Sequence, residues 1–240
     1  MILDSIKPRL SDAFVTADPD VMVDAFRTNA RIVVERGSVV YGTVNMNSDR
    51  DKLYVIPDDF KMVLLPFEKH IWEYHFISGD GVDADEQFIC ESDFQKLLDD
   101  CDVMAVETVF TPVDNLLYLN NEKLKVRVIL PFDKWKIRQS FSGTASNSWA
   151  KAHKKMTVEK DLDMYRGAKS LFHSLRILMF ANQICERGVI DNFEEATPLW
   201  WEIYGEYLDG QQWPHFKEKY KPVYNNLRSK LAVLAPKPIE

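Results

Sequence analysis

A glycine and a serine, Gly37-Ser38, close one apolar run, and ten residues further on the acidic triplet Asp49-Arg50-Asp51 opens another. No other stretch of the chain limits the local fold as much. Residues 30–35, with Ile32, Val33 and Val34 in succession, read as a strand. The glycine just after it has no Cβ, which suits a bend or the close approach of a ligand. Gly42 and residues 45–48 give a second turn signal, and Arg50–Ile56 reads as a strand whose beginning carries the acids. With Arg50 extended, the two flanking carboxylates point to one face, about 7 Å apart at Cα.

Carboxylates so placed are hard oxygen donors suited to Mg2+ or Mn2+. Backbone N–H groups and the Ser38 hydroxyl at a bend can donate to phosphate oxygens. The chemistry that needs both is transfer of a nucleoside monophosphate from a triphosphate to a hydroxyl, where two cations roughly 4 Å apart stabilise the entering and leaving oxygens. Singly, a Gly-Ser pair is an ordinary turn and Asp-x-Asp an ordinary solvated strand edge. Their spacing between two apolar runs gives them a joint reading.

The run Gly37-Ser38-Val39-Val40-Tyr41-Gly42-Thr43, followed by Ser48-Asp49-Arg50-Asp51 and Leu53-Tyr54-Val55, resembles the signature of the DNA polymerase beta nucleotidyltransferase superfamily. Within it, the sequence is most similar to nucleotidyltransferases found beside RNA-repair ligases and in large phages. The resemblance covers roughly residues 32–188. It implies an α+β fold: a small mixed sheet with flanking helices, then a mainly helical C-terminal part. It also implies a metal site made of Asp49, Asp51 and a third carboxylate on a neighbouring strand. Asp85 aligns best for that third position, with Asp83 and Glu86 as competitors; on a strand Asp83 shares its face and Glu86 opposes it. Asp85 would complete the metal site and help to deprotonate the attacking hydroxyl.

Residues 85–89 and 94–98 with Glu107 look like the family's strand, helix and Glu-containing segment. Lys169, His173 and Arg176 match a Lys, His and Arg expected on a later helix, where with Gly37 and Ser38 they would bind the nucleotide. Arg50 and Lys52 stand where the superfamily has apolar residues, which puts in doubt whether the far face of that strand is dry.

The 240 residues, 46% of them hydrophobic, suffice for a substantial core. The expected division is a catalytic domain over 1–130 and a helical domain over 131–240. Charge is uneven: residues 1–125 carry a net −12 and residues 126–187 a net +7. The basic segment, with Trp135 and Trp149 available for base stacking, reads either as a surface for triphosphate and RNA or as one that docks on the chain's own acidic front. The overall charge of −7 argues against a broad, non-specific nucleic-acid binder. No apolar run approaches a membrane span, and residues 1–8 lack the pattern of a signal peptide, so the expectation is a cytosolic chain with no membrane partner. Cys90, Cys101 and Cys185 form no Cys-x-x-Cys pair and read as buried thiols.

Further helices are expected from residue 21 to 29, from 92 to 100 with Ser92 as cap, and over Met164–Arg187 ending at Gly188. Further strands are expected at 61–65, 87–90 and 123–130. Lys169, His173 and Arg176 fall on one helix face, which reads as a phosphate-binding cluster or as a solvated stripe around a core histidine. Pro222 should kink or divide the last helix. The C-terminal aromatics read as packing residues, and His70, His75, His153 and His215 sit singly without metal-ligand spacing.

Three functions fit. One is an Mg2+- or Mn2+-dependent nucleotidyltransferase that modifies an RNA end such as that of tRNA. The second is the same chemistry on a protein or small-molecule hydroxyl, for example AMPylation. The third is a non-catalytic nucleotide- or partner-binding descendant.

Overall fold

The computed structural model of the protein describes residues 18–46, 48–64 and 70–238. These divide into two compact units. One comprises the described residues within Met1–Val40, Val44–Leu97 and Thr111–Arg127, and the other those within Tyr41–Thr43, Leu98–Phe110 and Val128–Glu240. The result is an α+β fold with a mixed sheet, flanking helices and a helical C-terminal part. No helix among the described residues is long and apolar enough to cross a membrane.

The first unit is built on a five-stranded sheet. Helix α1 (Pro19–Asn29) begins at Asp18, whose side chain accepts from the Asp20 N–H, with Pro19 in the first turn where its missing donor costs nothing. Strands β1 (Ile32–Arg36) and β2 (Arg50–Ile56) follow, then a short helix α2 (Lys61–Leu64), β3 (Ile71–Ile77), β4 (Asp83–Cys90), helix α3 (Glu91–Asp99) and, after the chain returns from the other unit, β5 (Leu116–Leu119). The strand order is β3-β4-β2-β1-β5, antiparallel throughout except that β2 and β4 run parallel.

One face of this sheet is covered by α1. Val23, Phe26 and Ala30 pack with Val33, Tyr54, Ile56, Phe60, Leu64, Phe88 and Cys90 into a single buried cluster. Phe26 meets Phe60 and Trp72 edge-on, and Tyr54 stacks on Phe88 at 4.8 Å. The β2 face opposite Asp51 is dry from Tyr54 onward and polar only at its beginning, where Arg50 binds Asp80.

Three expectations are corrected, and a fourth in one of its alternatives. Residues 61–64 are helical instead of extended, because the turn Asp58–Phe60 after Pro57 continues directly into α2; Leu65 lies outside the described residues. Residues 123–130 form no strand. Their backbone is held by side chains, the Gln95 Oε1 accepting from the Arg127 N–H and its Nε2 donating to the Arg127 carbonyl at 3.0 Å, and the fifth strand is Leu116–Leu119. Ser92 is inside the first turn of α3, where its N–H donates to Asp58 Oδ1 at 2.9 Å. Of the two outcomes expected at Pro222, division does not occur: the last helix continues through it.

The second unit is helical: α4 (Val103–Phe110), α5 (Lys134–Thr157), α6 (Met164–Arg187), α7 (Thr197–Leu208) and α8 (Trp213–Leu234). Helix α6 is central, packing against α5, α7 and α8, and ends as expected at Gly188, whose φ of +82° closes the last turn. Trp149 is packed against Trp213 and Tyr224, with the Lys221 ammonium 4.6 Å from its ring centroid, so this tryptophan serves the helical core.

Candidate active site

The acids meet because of strand register. Antiparallel pairing sets Arg36, the last residue of β1, opposite Asp51, near the start of β2, so the bend at Gly37 sits beside the beginning of β2. Parallel pairing sets Asp51 level with Asp85, and antiparallel pairing sets Asp85 opposite His75. Partners in register share a face, so Arg36, Asp51, Asp85 and His75 form one row across four strands.

Asp49, Asp51 and Asp85 each offer an oxygen, and the three ligand atoms lie within 4.8 Å of one another. All three carboxylates are half-buried. Oxygens so grouped match the donor set that Mg2+ or Mn2+ takes, one or two carboxylates for each ion with substrate phosphates and water completing the shell. A second observation supports the fit. Gly37 has φ +70°, and a Cβ built there would stand 2.0 Å from Asp51 Oδ2. Only glycine leaves the Asp51 carboxylate its place.

Around Asp49 and Asp51 opens a pocket of about 730 Å³ lined by Ser38, Val39, Val44, Met46, Lys52 and Asp83 among others. The wall mixes acids with the exposed apolar side chains Val39, Val44 and Met46. Ser38 is buried in the pocket wall, inside the short turn Gly37–Val39. Of the competitors for the third acid, Asp83 lines this pocket. Glu86 lies on the opposite face, 4% exposed, where it accepts from the Tyr54 hydroxyl at 2.9 Å and pairs with Arg27 at 2.8 Å. Burial and the Glu86 charge raise the Tyr54 hydroxyl well above its ordinary pKa, so it stays a donor.

His75 is a neighbour that sequence spacing did not reveal. Its Nδ1 makes a short hydrogen bond with Asp85 Oδ1, and the carboxylate holds the imidazole above its usual pKa. The alternation of Ile71–Ile77 was the available signal, since it marks a strand, but nothing local pairs His75 with Asp85. Nearby on the same face, Arg36 donates to Gln87 Oε1 at 2.6 Å and Gln87 donates to Glu73 Oε1 at 2.9 Å.

Lys169, His173 and Arg176 belong to the second unit and share one face of α6, as the spacing required. Arg176 is 4% exposed; it donates to Glu107 Oε1 at 2.8 Å and lies 3.8 Å from the Tyr41 ring centroid. The Tyr41 hydroxyl donates to the other Glu107 oxygen at 2.7 Å. Arg176 Nε also donates to His173 Nδ1 at 3.3 Å, which requires a neutral imidazole. Burial, followed by the charges of Arg176, Lys169 and Lys151, keeps that histidine well below its ordinary pKa. Lys169 is half-buried on the same face.

No protein-family model matches this sequence, and no curated protein is detectably similar to it. Among solved structures, the chain is similar to a nucleotidyltransferase-like protein from Exiguobacterium sibiricum, at 12% identity and a TM-score of 0.31 over 89% of this chain and 76% of that one. It is also similar to an aminoglycoside 6-adenyltransferase from Bacillus subtilis, at 10% identity and a TM-score of 0.29 over 92% and 91%. At these scores the fold and the site rest on their own geometry.

Proposed function

We propose that the protein is a metal-dependent nucleotidyltransferase, moving a nucleoside monophosphate from a nucleoside triphosphate to a hydroxyl with release of pyrophosphate. The observation that carries this reading is the convergence of Asp49, Asp51 and Asp85 within 4.8 Å, beside a bend whose glycine no other residue could replace without displacing Asp51. Asp49, Asp51 and Asp85 would hold Mg2+ or Mn2+. When bound, such ions stabilise the charge that grows on the entering and leaving oxygens. The chain's own residues do the rest. Ser38 lines the pocket, and the backbone N–H groups of the Gly37–Val39 turn with the Ser38 hydroxyl are our candidates to donate to phosphate oxygens. Asp85 is the candidate to take the proton of the attacking hydroxyl.

The acceptor we place first is an RNA end, supported by the net +7 of residues 126–187. A small hydroxyl compound or a protein side chain comes second. The observations favouring it are the carboxylates Glu35 and Asp83 in the pocket wall and the enclosure of Trp149 by Trp213 and Tyr224.

Incubating the protein with each triphosphate labelled at the α-phosphate, Mn2+ or Mg2+, and separately total RNA, protein and metabolites should place label in one fraction and identify base and acceptor together. Asp49→Asn and Asp51→Asn should abolish transfer, while thermal unfolding shifts by no more than about 2 °C because half-exposed surface acids add little stability. Full transfer by both variants would sink the metal assignment.

A further inference from the structure

Asp85 reaches the site from β4, apart in the chain from Asp49 and Asp51. Its side chain is 35% exposed, and a carboxylate with that freedom occupies one rotamer only at an entropic cost. The sheet supplies a restraint. Antiparallel register sets His75 of β3 directly opposite Asp85, and the imidazole hydrogen-bonds Asp85 Oδ1. On its other side Nε2 is 3.9 Å from Glu73 Oε2, beyond hydrogen-bond distance, while Gln87 donates to Glu73 and Arg36 donates to Gln87. The hydrogen bond from His75 is therefore the contact that reaches Asp85, with a row of polar side chains from β1 to β3 beside it.

From this geometry we infer that His75 is a positioning residue: its ring N–H occupies one Asp85 oxygen and turns the carboxylate so that the other meets the oxygens of Asp49 and Asp51. The inference rests on the metal reading above. Hydrogen bonds that orient a ligating side chain typically change metal affinity by about 10- to 100-fold when removed. The His75 side chain is 65% exposed, so its loss removes little packing, and the effect belongs to the contact with Asp85.

Titration with Mn2+ alone, followed by loss of the free-ion electron paramagnetic resonance signal, reads this without any need for catalysis. His75→Ala should weaken Mn2+ binding about 10- to 100-fold, with a thermal midpoint within about 2 °C of the parent. His75→Asn, whose amide N–H can stand near the position of Nδ1, should recover most of the affinity. Equal Mn2+ binding by His75→Ala and the parent, with Asp85→Asn binding weakly, overturns the positioning role and leaves the metal site standing. So does a weak His75→Ala that His75→Asn does not rescue. A parent protein that binds Mn2+ no better than Asp49→Asn overturns the metal site and this inference together.

Discussion

At Gly37 a single absent atom decides whether the site can exist. Its φ of +70° lies where side chains are strained, and a Cβ there would overlap Asp51 Oδ2 at 2.0 Å. Gly37→Ala should therefore push the Asp51 carboxylate aside. The expected outcome is loss of label transfer and weaker Mn2+ binding, with a stability cost of about 1–2 kcal/mol by denaturant unfolding. Unchanged Mn2+ affinity would show that Asp51 tolerates the displacement. The Gly37 bend and the nearness of Asp49 to Asp51 were legible in the sequence because both follow from residue type and short-range spacing. The choice among Asp83, Asp85 and Glu86 was not, since all three offer a carboxylate within four positions. Register separates them: Asp85 is level with Asp51, Glu86 faces the α1 side with Tyr54 and Arg27, and Asp83 lies further along the pocket wall.

Among the elements, α6 shows how far periodicity reaches. Its limits, its Gly188 stop and its shared Lys169, His173 and Arg176 face follow from spacing alone. What lies against that face does not, because Glu107 is 69 positions earlier in the chain than Arg176. Removing one partner of a buried ion pair leaves the other uncompensated, at a cost of about 3–5 kcal/mol. Arg176→Met and Glu107→Leu should each destabilise the protein by about that amount. The double variant should be less destabilised than the sum, by a coupling of about 1–3 kcal/mol in a double-mutant cycle. Additive losses would mean the pair is not energetically joined. The two misread strands fail for a related reason: at 61–65 a turn following Pro57 propagates as helix, and at 123–130 alternation is present but Gln95 satisfies the backbone at Arg127. Ile71–Ile77 drew no expectation, although its alternation marks a strand whose polar positions carry Glu73 and His75 toward the site side of the sheet.

Across the whole molecule the three cysteines report on both units, Cys90 in the first and Cys101 and Cys185 in the second. Burial pushes the thiol of Cys90 up to about 12 and those of Cys101 and Cys185 up to about 11. The reactive species is the thiolate, so raised values mean almost none of it at pH 8, and burial also blocks the reagent. Native protein should titrate no thiol with a disulfide reagent at pH 8, and three after denaturation. A fast-reacting thiol in native protein would mark a unit that opens. The sequence by itself determined the α+β class, the long helices, the glycine bend and the two leading acids, because apolar periodicity and residue chemistry are local properties. Tertiary structure alone decided which carboxylate joins them, that His75 stands against it, and that Arg176 is committed to Glu107. Those outcomes depend on the register of strands and the pairing of helices far apart in the chain, where hydrogen-bond direction and burial, not neighbouring residues, choose the partner.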